Sequence, residues 1–320
     1  MFMDDKYSIW TEKYRPTKFD EIVGQDAIVS RIRSFVENKQ VPHLLFAGPA
    51  GCGKSTLSLI IAREMFGKRW KNCFLEMNAS DERGIGIIRS KIKDFARTKA
   101  IGNIPYKIIF LDEADSLTPE AQSALRRTME SYAKICRFCL SCNYSSRIIE
   151  PIQSRCAVFR FKSISEDDIK TRLKIIAEGE KVKISPKALD SVCYLAEGDI
   201  RKAINIVQSS AAVGDITDKS VFETVASAHP SEIRKLMELA LKGNFLDSRK
   251  MLVDLLYKKG VAAEDIIKIV SKEVISMDIT EKHKINLMEK IGEYEYRLGM
   301  GSNEQIQLEA MLANFAVLKK

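Results

Sequence analysis

The sequence predicts an α/β domain, a parallel sheet with helices on both faces, followed by two all-helical domains. Three observations lead there. From residue 44 to about 162, short apolar runs alternate with longer helix-like stretches, the βαβ pattern of a parallel sheet. After Phe161 the strand pattern stops, and helical periodicity runs to the end of the chain. A length of 320 residues exceeds one ordinary compact unit, so two or three domains are expected.

Taken in order, the strands are expected at LLFAG (44–48), CFLEMN (73–78), KIIFLDEAD (107–115), CRFCLSCN (136–143) and AVFRF (157–161). Between them the helices announce their starts. Thr118 before Pro119 and Glu120 is an N-cap, a first-turn proline and a first-turn acid, opening a helix that should run to about Tyr132. Ser165 caps a helix with Glu166, Asp167 and Asp168 in its first turn, and Ser185-Pro186 opens the next. Gly198-Asp199 then separates that helix from IRKAINIVQSSAAV. The residue before proline is pushed out of helical geometry, so His229-Pro230 reads as a boundary. The expected domains are 1–163 (α/β), 164–228 (small, helical) and 229–320 (helical).

Composition narrows the classes. Hydrophobic residues at 45%, charged residues at 29%, 16 Gly and 8 Pro exclude disordered, collagen-like and low-complexity chains. The start MFMDDKYSIW carries two acids and no cationic lead into an apolar run, and no stretch approaches a membrane span. Seven scattered cysteines, an odd number, fit reduced thiols. A cytoplasmic protein is expected, with no membrane partner. Of the 51 Lys+Arg and 43 Asp+Glu, residues 1–163 hold 27 and 18 while 164–320 hold 24 and 25. The whole basic excess lies in the first half, where it would attract a phosphate polymer or simply be solvated.

Gly48-Pro49-Ala50-Gly51-Cys52-Gly53-Lys54-Ser55, followed by Thr56, matches G-x-x-x-x-G-K-[ST] between an apolar strand and a helix. This is a P-loop: its glycines let backbone N–H groups close around phosphates, Lys54 reaches the β- and γ-phosphates, and Ser55 can ligate Mg²⁺. IIFLDEAD supplies the other half. Asp112 at the strand's carboxyl end is placed to hold Mg²⁺ through water, and Glu113 to orient or deprotonate the attacking water. Asn143 at the end of the next strand can help position that water, although a turn asparagine is the plainer reading. Arg155 and Arg201 are candidates to stabilise charge on the γ-phosphate, from the same or a neighbouring chain, and periodicity does not separate them from other arginines.

From Arg83 to Lys107 there are seven basic residues and one acid. Ile85, Ile88, Ile92 and Phe95 form an apolar stripe in helical register, while Arg89, Lys93 and Arg97 recur every fourth residue on another face. That face can follow a phosphate backbone or be an ordinary solvated surface. Cys136, Cys139 and Cys142 mimic the start of an iron–sulfur run, but a strand would turn Cys139 away from the other two, which favours core thiols. His43, His229 and His283 are too dispersed to indicate zinc or a triad.

Together WTEKYRP (10–16), VGQ (23–25), GPAGCGKST, NASDERGI (78–85), LDEAD, ALRRTMESY (124–132), SRC (154–156) and GDIRKAIN (198–205) resemble the successive boxes of a replication factor C small subunit, the AAA+ ATPase of archaeal and eukaryotic sliding-clamp loaders. The resemblance covers nearly the whole chain, with specific motifs through residue 205. It implies an AAA+ domain, a helical lid and a C-terminal collar domain, and an enzyme that hydrolyses ATP with Mg²⁺ to load the sliding clamp onto primer-template DNA. It implies that Arg15, Pro16 and Val23 contact the adenine, that Asn143 is the first sensor, and that Arg201 is the second. Arg155 would be an arginine finger acting in trans, and the basic helix, with Arg83, Arg89, Lys93 and Arg97, would contact DNA phosphates. The implied partners are the clamp, a large subunit and further small subunits in a heteropentamer.

Departures from the family's pattern are small: Ala50 for a second proline, Cys52 for a common valine, Ser55 for threonine. Cys52 beside bound phosphates predicts an ATPase sensitive to mild peroxide. Leu236, Leu239, Leu252, Leu255 and Leu256 fit either a collar interface or a plain domain core. Two rival functions stay open on sequence: another AAA+ motor acting on branched DNA or protein, and a nucleotide-dependent scaffold with negligible hydrolysis.

Overall fold

A computed structural model describes residues 8–80, 85–97 and 106–317. Helix α1 (Trp10–Lys13) and helix α2 (Asp26–Glu37) precede strand β1 (Leu44–Ala47). The chain continues through α3 (Lys54–Phe66), α4 (Trp70–Cys73), β2 (Phe74–Asn78), α5 (Ile85–Arg97), β3 (Lys107–Asp112), α6 (Pro119–Tyr132), β4 (Cys136–Cys142), α7 (Glu150–Gln153) and β5 (Ala157–Arg160). All five strands lie on the expected segments, in the order β2-β3-β4-β1-β5 and parallel throughout, but β3 stops three residues short of the expected 107–115 because Glu113 turns left-handed.

Every residue of β1 is buried, as is β3 up to Asp112, because helices cover both faces of a parallel sheet. One face packs Phe46, Phe110, Cys139 and Phe159 against Leu57, Ile60 and Ile61 of α3. The other packs Leu45, Leu111, Leu140 and Cys142 against Leu125 and Met129 of α6. The two-residue period of β4 therefore puts Cys139 on one face and Cys136 and Cys142 on the other, as the spacing predicts.

The remaining elements are helical: α8 (Glu166–Glu180), α9 (Pro186–Ala196), α10 (Ile200–Ala211), α11 (Asp218–Val225), α12 (Pro230–Leu241), α13 (Phe245–Val253) continuing as a π-helical turn over Asp254–Lys258, α14 (Ala263–Ser276), α15 (Glu281–Gly299) and α16 (Glu304–Val317). The expected caps are present. Ala121 N donates to Thr118 Oγ at 3.3 Å, Asp168 N to Ser165 Oγ at 3.2 Å, and Ala188 N to Ser185 Oγ at 3.2 Å.

The chain divides into two compact units, residues 1–183 with 192–208 and residues 184–191 with 209–320. In the second unit Leu236, Leu252 and Leu255 are interior residues packed with Ile266, Leu287 and Leu312, so these leucines form a domain core. Ile285, Met288 and Tyr296 of α15 are instead exposed at 62%, 37% and 68%. Among the described residues no helix is long and apolar enough to cross a membrane.

Candidate active site

The loop after β1 turns on glycines that no other residue replaces cheaply. Gly51 has φ +64° and lies so close to Asp199 that a Cβ there would sit 1.7 Å from Oδ1. Gly53, at φ 99°, is the left-handed residue from which α3 starts. The first N–H groups of that helix have no intrahelical acceptors and, with the dipole, favour an anion. Lys54, the first helical residue, is 8% exposed, and its ammonium donates to Gly48 O and Pro49 O at 2.7 Å each and to Asn143 Oδ1 at 3.1 Å. Ser55 is buried beside it.

Strand β4 lies between β1 and β3, so the ends of all three meet at this point. Asp112 ends β3, and its Oδ1 accepts from Glu113 N at 3.0 Å. Glu113 itself is exposed and left-handed, φ 51°, ψ 39°, a conformation that costs a non-glycine residue free energy and turns it out of the strand line. Asp115, not singled out by the sequence reading, accepts from Asn143 N at 3.1 Å and Tyr144 N at 3.0 Å, fixing the turn that presents the Asn143 amide. Gln122 is likewise new: at 2% exposure, its amide donates to Leu117 O and Arg147 O and accepts from Ile149 N. It ties the start of α6 to the segment after Asn143.

Beside the loop lies a cleft lined by Arg15, Pro16, Ile22 and Val23, by Gly51, Cys52, Gly53 and Thr56, and by Ile164, Ile200, Arg201 and Ile204. Its apolar walls with a few polar groups suit a flat heterocycle. Arg15 Nε donates to Thr56 Oγ at 3.3 Å, so the predicted base-contacting segment is tethered to α3. Gln25 explains the VGQ box, for its buried amide donates to Lys162 O at 2.7 Å and accepts from Lys162 N at 3.4 Å, anchoring the 22–25 turn to the chain beyond β5. Arg201 N and Lys202 N donate to Asp199 Oδ1, at 2.8 and 3.0 Å, so the carboxylate that crowds Gly51 also caps α10.

Cys52 is 1% exposed, and its thiol donates to Pro49 O at 3.0 Å. Burial pushes the thiol's pKa up and Lys54 opposes this only in part. Peroxide attacks thiolate, so this placement counts against the expected oxidative sensitivity.

Arg155 is absent from the cleft lining. Its guanidinium is on the surface, paired with Glu130 of α6 at 2.6 Å and donating to Pro151 O at 2.8 Å, while Arg126 reaches the same Glu130 at 3.3 Å. Of the basic-helix candidates, Arg83 lies outside the described residues, and Arg89 falls within α5 with its side chain outside them. Lys93 and Arg97 are exposed, and Lys93 faces Arg127, Ser131 and Tyr132 of α6 across a shallow groove.

A parallel sheet of order β2-β3-β4-β1-β5, with a P-loop after β1, an acidic pair after β3 and a polar residue after β4, defines an AAA+ ATPase. The comparisons agree. Residues 44–164 match the model of the ATPase family associated with various cellular activities, and residues 228–314 match the replication factor C C-terminal domain. The replication factor C small subunit of Archaeoglobus fulgidus is 52% identical over 99% of both chains. That of Staphylothermus marinus is 52% identical, covering 98% of this chain and 95% of its own. Among solved structures the Thermotoga maritima RuvB Holliday junction branch migration motor shares the fold, with a TM-score of 0.56 at 18% identity over 86% of this chain and 98% of its own. The chain belongs to the replication factor C small subunit family. It is a nucleotide-binding, ATP-hydrolysing clamp-loader subunit of DNA replication.

Proposed function

We propose that ATP seats on residues 48–56 of this chain and that a neighbouring subunit completes the hydrolysis site. The observation that carries the reading is the Lys54–Asn143 bond, which joins the phosphate loop to the strand lying between it and Asp112. The backbone N–H groups and Lys54 bind the β- and γ-phosphates, and Arg15, Pro16 and Val23 face the adenine. Glu113 takes the proton of the attacking water, Asn143 orients that water, and Arg201 contacts the γ-phosphate.

Ser55 and Asp112 offer the hard oxygen donors that fit Mg²⁺, with Asp112 acting through water. Bound there, the ion would neutralise charge on the β- and γ-oxygens. Arg155, exposed and held away from its own cleft by Glu130, is arranged to serve another subunit's nucleotide. Residues 1–163 form the AAA+ domain, 164–228 the lid and 229–320 the collar. Because Leu236, Leu252 and Leu255 are committed to the core, the collar's contact surface is better assigned to the exposed face of α15.

The partners in this reading are the sliding clamp, a large subunit, further small subunits and primer-template DNA. Lys93 and Arg97, joined by Arg127 across the groove, contact backbone phosphates. The shared site is tested by mixing. In complexes reconstituted with the large subunit, Arg155→Ala or Lys54→Ala chains alone should run at least about 10²-fold below wild type. A mixture of the two should recover to roughly a quarter of wild type, since some interfaces then pair an intact loop with an intact finger. No recovery would mean that Arg155 does not act between subunits.

A further inference from the structure

Along β4, Cys139 and Ser141 alternate with Leu140 and Cys142, and this puts Ser141 on the face covered by α3. Its register partner on β1 is Phe46, which lies on that face. On β3, Asp112 alternates with Leu111 and falls on the same face. The β3–β4 ladder pairs Leu111 with Leu140, so the next step places Asp112 beside Ser141. The face is apolar at Phe110 and Cys139 and becomes polar one step nearer the site, at Asp112 and Ser141.

Ser141 is 1% exposed, and among the described residues its hydroxyl has no hydrogen-bond partner. A buried hydroxyl left unpaired is rare, and at such a position a bound water or ion commonly completes it. Ser58, a buried hydroxyl of α3, shows the usual solution, donating to Ser55 O at 2.7 Å. By that register its neighbour on β3 is Asp112, the carboxylate expected to hold magnesium through water.

We propose that Ser141 is a positioning residue for ATP hydrolysis, its hydroxyl holding a water of the shell that links Asp112 to Mg²⁺. The proposal rests on the reading of Asp112 as the residue that holds the ion. Ser141 touches no phosphate in this arrangement. It acts through Asp112, fixing where that shell sits relative to Ser55 and Glu113.

The test uses Ser141→Ala, Ser141→Thr and Asp112→Asn in the complex reconstituted with the large subunit. Two quantities are measured: the Mg²⁺ concentration for half-maximal ATP turnover, and the affinity of the ADP-loaded complex for Mn²⁺ by electron paramagnetic resonance. Binding of a fluorescent ADP in EDTA reports the nucleotide site without a cation. The expected result is that Ser141→Ala raises the half-maximal Mg²⁺ about fivefold and weakens Mn²⁺ to match, while ADP binding in EDTA is unchanged. Ser141→Thr, which keeps the hydroxyl, should stay near wild type. Ser141→Ala with wild-type cation dependence, alongside a displaced Asp112→Asn, would overturn the proposal and leave the Asp112 reading standing. Unchanged cation dependence in Asp112→Asn would overturn both. Equal defects in Ser141→Ala and Ser141→Thr would show a packing effect and also overturn it.

Discussion

At the amino-terminal edge of the sheet, Arg137 donates to Val41 O at 2.9 Å and lies 4.5 Å over the Tyr106 ring. There Tyr106 donates to Lys39 O and accepts from Val41 N, and Lys107, 3% exposed, donates to Phe95 O. At the carboxyl-terminal edge of the same strands stand Lys54, Asp112, Glu113 and Asn143. Both edges hold cations bonded to backbone carbonyls, Lys54 to Gly48 O and Pro49 O among them, and the difference lies in what is left over. The first set is spent on backbone carbonyls and N–H groups and works as a staple. The second leaves Ser141 unpaired, Glu113 exposed in a strained conformation, and the amides of a helix start facing a cleft. Unspent polar capacity at strand ends, more than polarity itself, separates a site from a fastening.

The largest expected effect breaks the site edge alone. Glu113→Gln keeps the shape of the side chain and removes the carboxylate proposed to act as base, so ATP turnover in the assembled complex should fall about 10³-fold with the melting temperature unchanged. Nucleotide affinity, read by fluorescent ADP, should hold. A scaffold with negligible hydrolysis would show no such loss.

The converse belongs to the other edge. Arg137→Ala should cost about 2–3 kcal/mol of stability, because it unpairs buried carbonyls and uncovers Tyr106, while turnover per folded molecule at 25 °C stays within twofold of wild type. Denaturant unfolding and a rate normalised to folded protein decide this. A large catalytic loss without destabilisation would dissolve the distinction between the edges.

A smaller effect at the same edge depends on pH. Phe138 N donates to His43 Nδ1 at 3.0 Å, so the imidazole accepts there and is needed neutral. Burial first, and Arg137 second, hold its pKa down at about 4. The folded value lies below the unfolded one, so the stabilising contribution is complete above about pH 6.5 and is lost as pH falls toward 4, up to about 3 kcal/mol. Urea midpoints at pH 7 and pH 5 should differ by less in His43→Gln, whose amide oxygen can accept the same N–H without titrating.

Much of this was legible along the chain. The strands show as apolar runs, and the loop, the acidic pair and Asn143 stand at their ends, because parallel-sheet burial and the strand-to-helix turn leave local marks. Gln122 and Ser141 left none, and Gln25 and Asp115 show only as letters of the VGQ and LDEAD boxes, with no role attached. Asp115 reads as one more acid after a strand, and Gln122 as an amide on a helix surface. The partners that give them their role are backbone groups 25 to 137 residues away in sequence, Arg147 for Gln122, Asn143 for Asp115 and Lys162 for Gln25. No periodicity encodes such a pairing. Ser141 is harder still, since what marks it is a bond it does not make. The fold likeness to RuvB shows the same limit from the other side, for strand order alone would not have separated a clamp-loader subunit from a branch migration motor.

The smallest expected effect concerns a third region, where cations are neither fastened nor gathered at a cleft. Lys93 and Arg127 face each other in the open groove between α5 and α6, and their exposure would suit plain solvation as well as a phosphate track. The two differ in salt dependence, because each phosphate contact releases a counterion on binding. Lys93→Ala and Arg127→Ala should each weaken primed-DNA binding by the assembled loader only severalfold. Each should also lower the slope of log affinity against log salt by about 1, with little dependence on DNA sequence. Nucleotide affinity and turnover without DNA should not change, since neither residue lines the cleft. An unaltered slope in the double variant would assign the groove to solvation and leave the DNA track to other residues of the basic half.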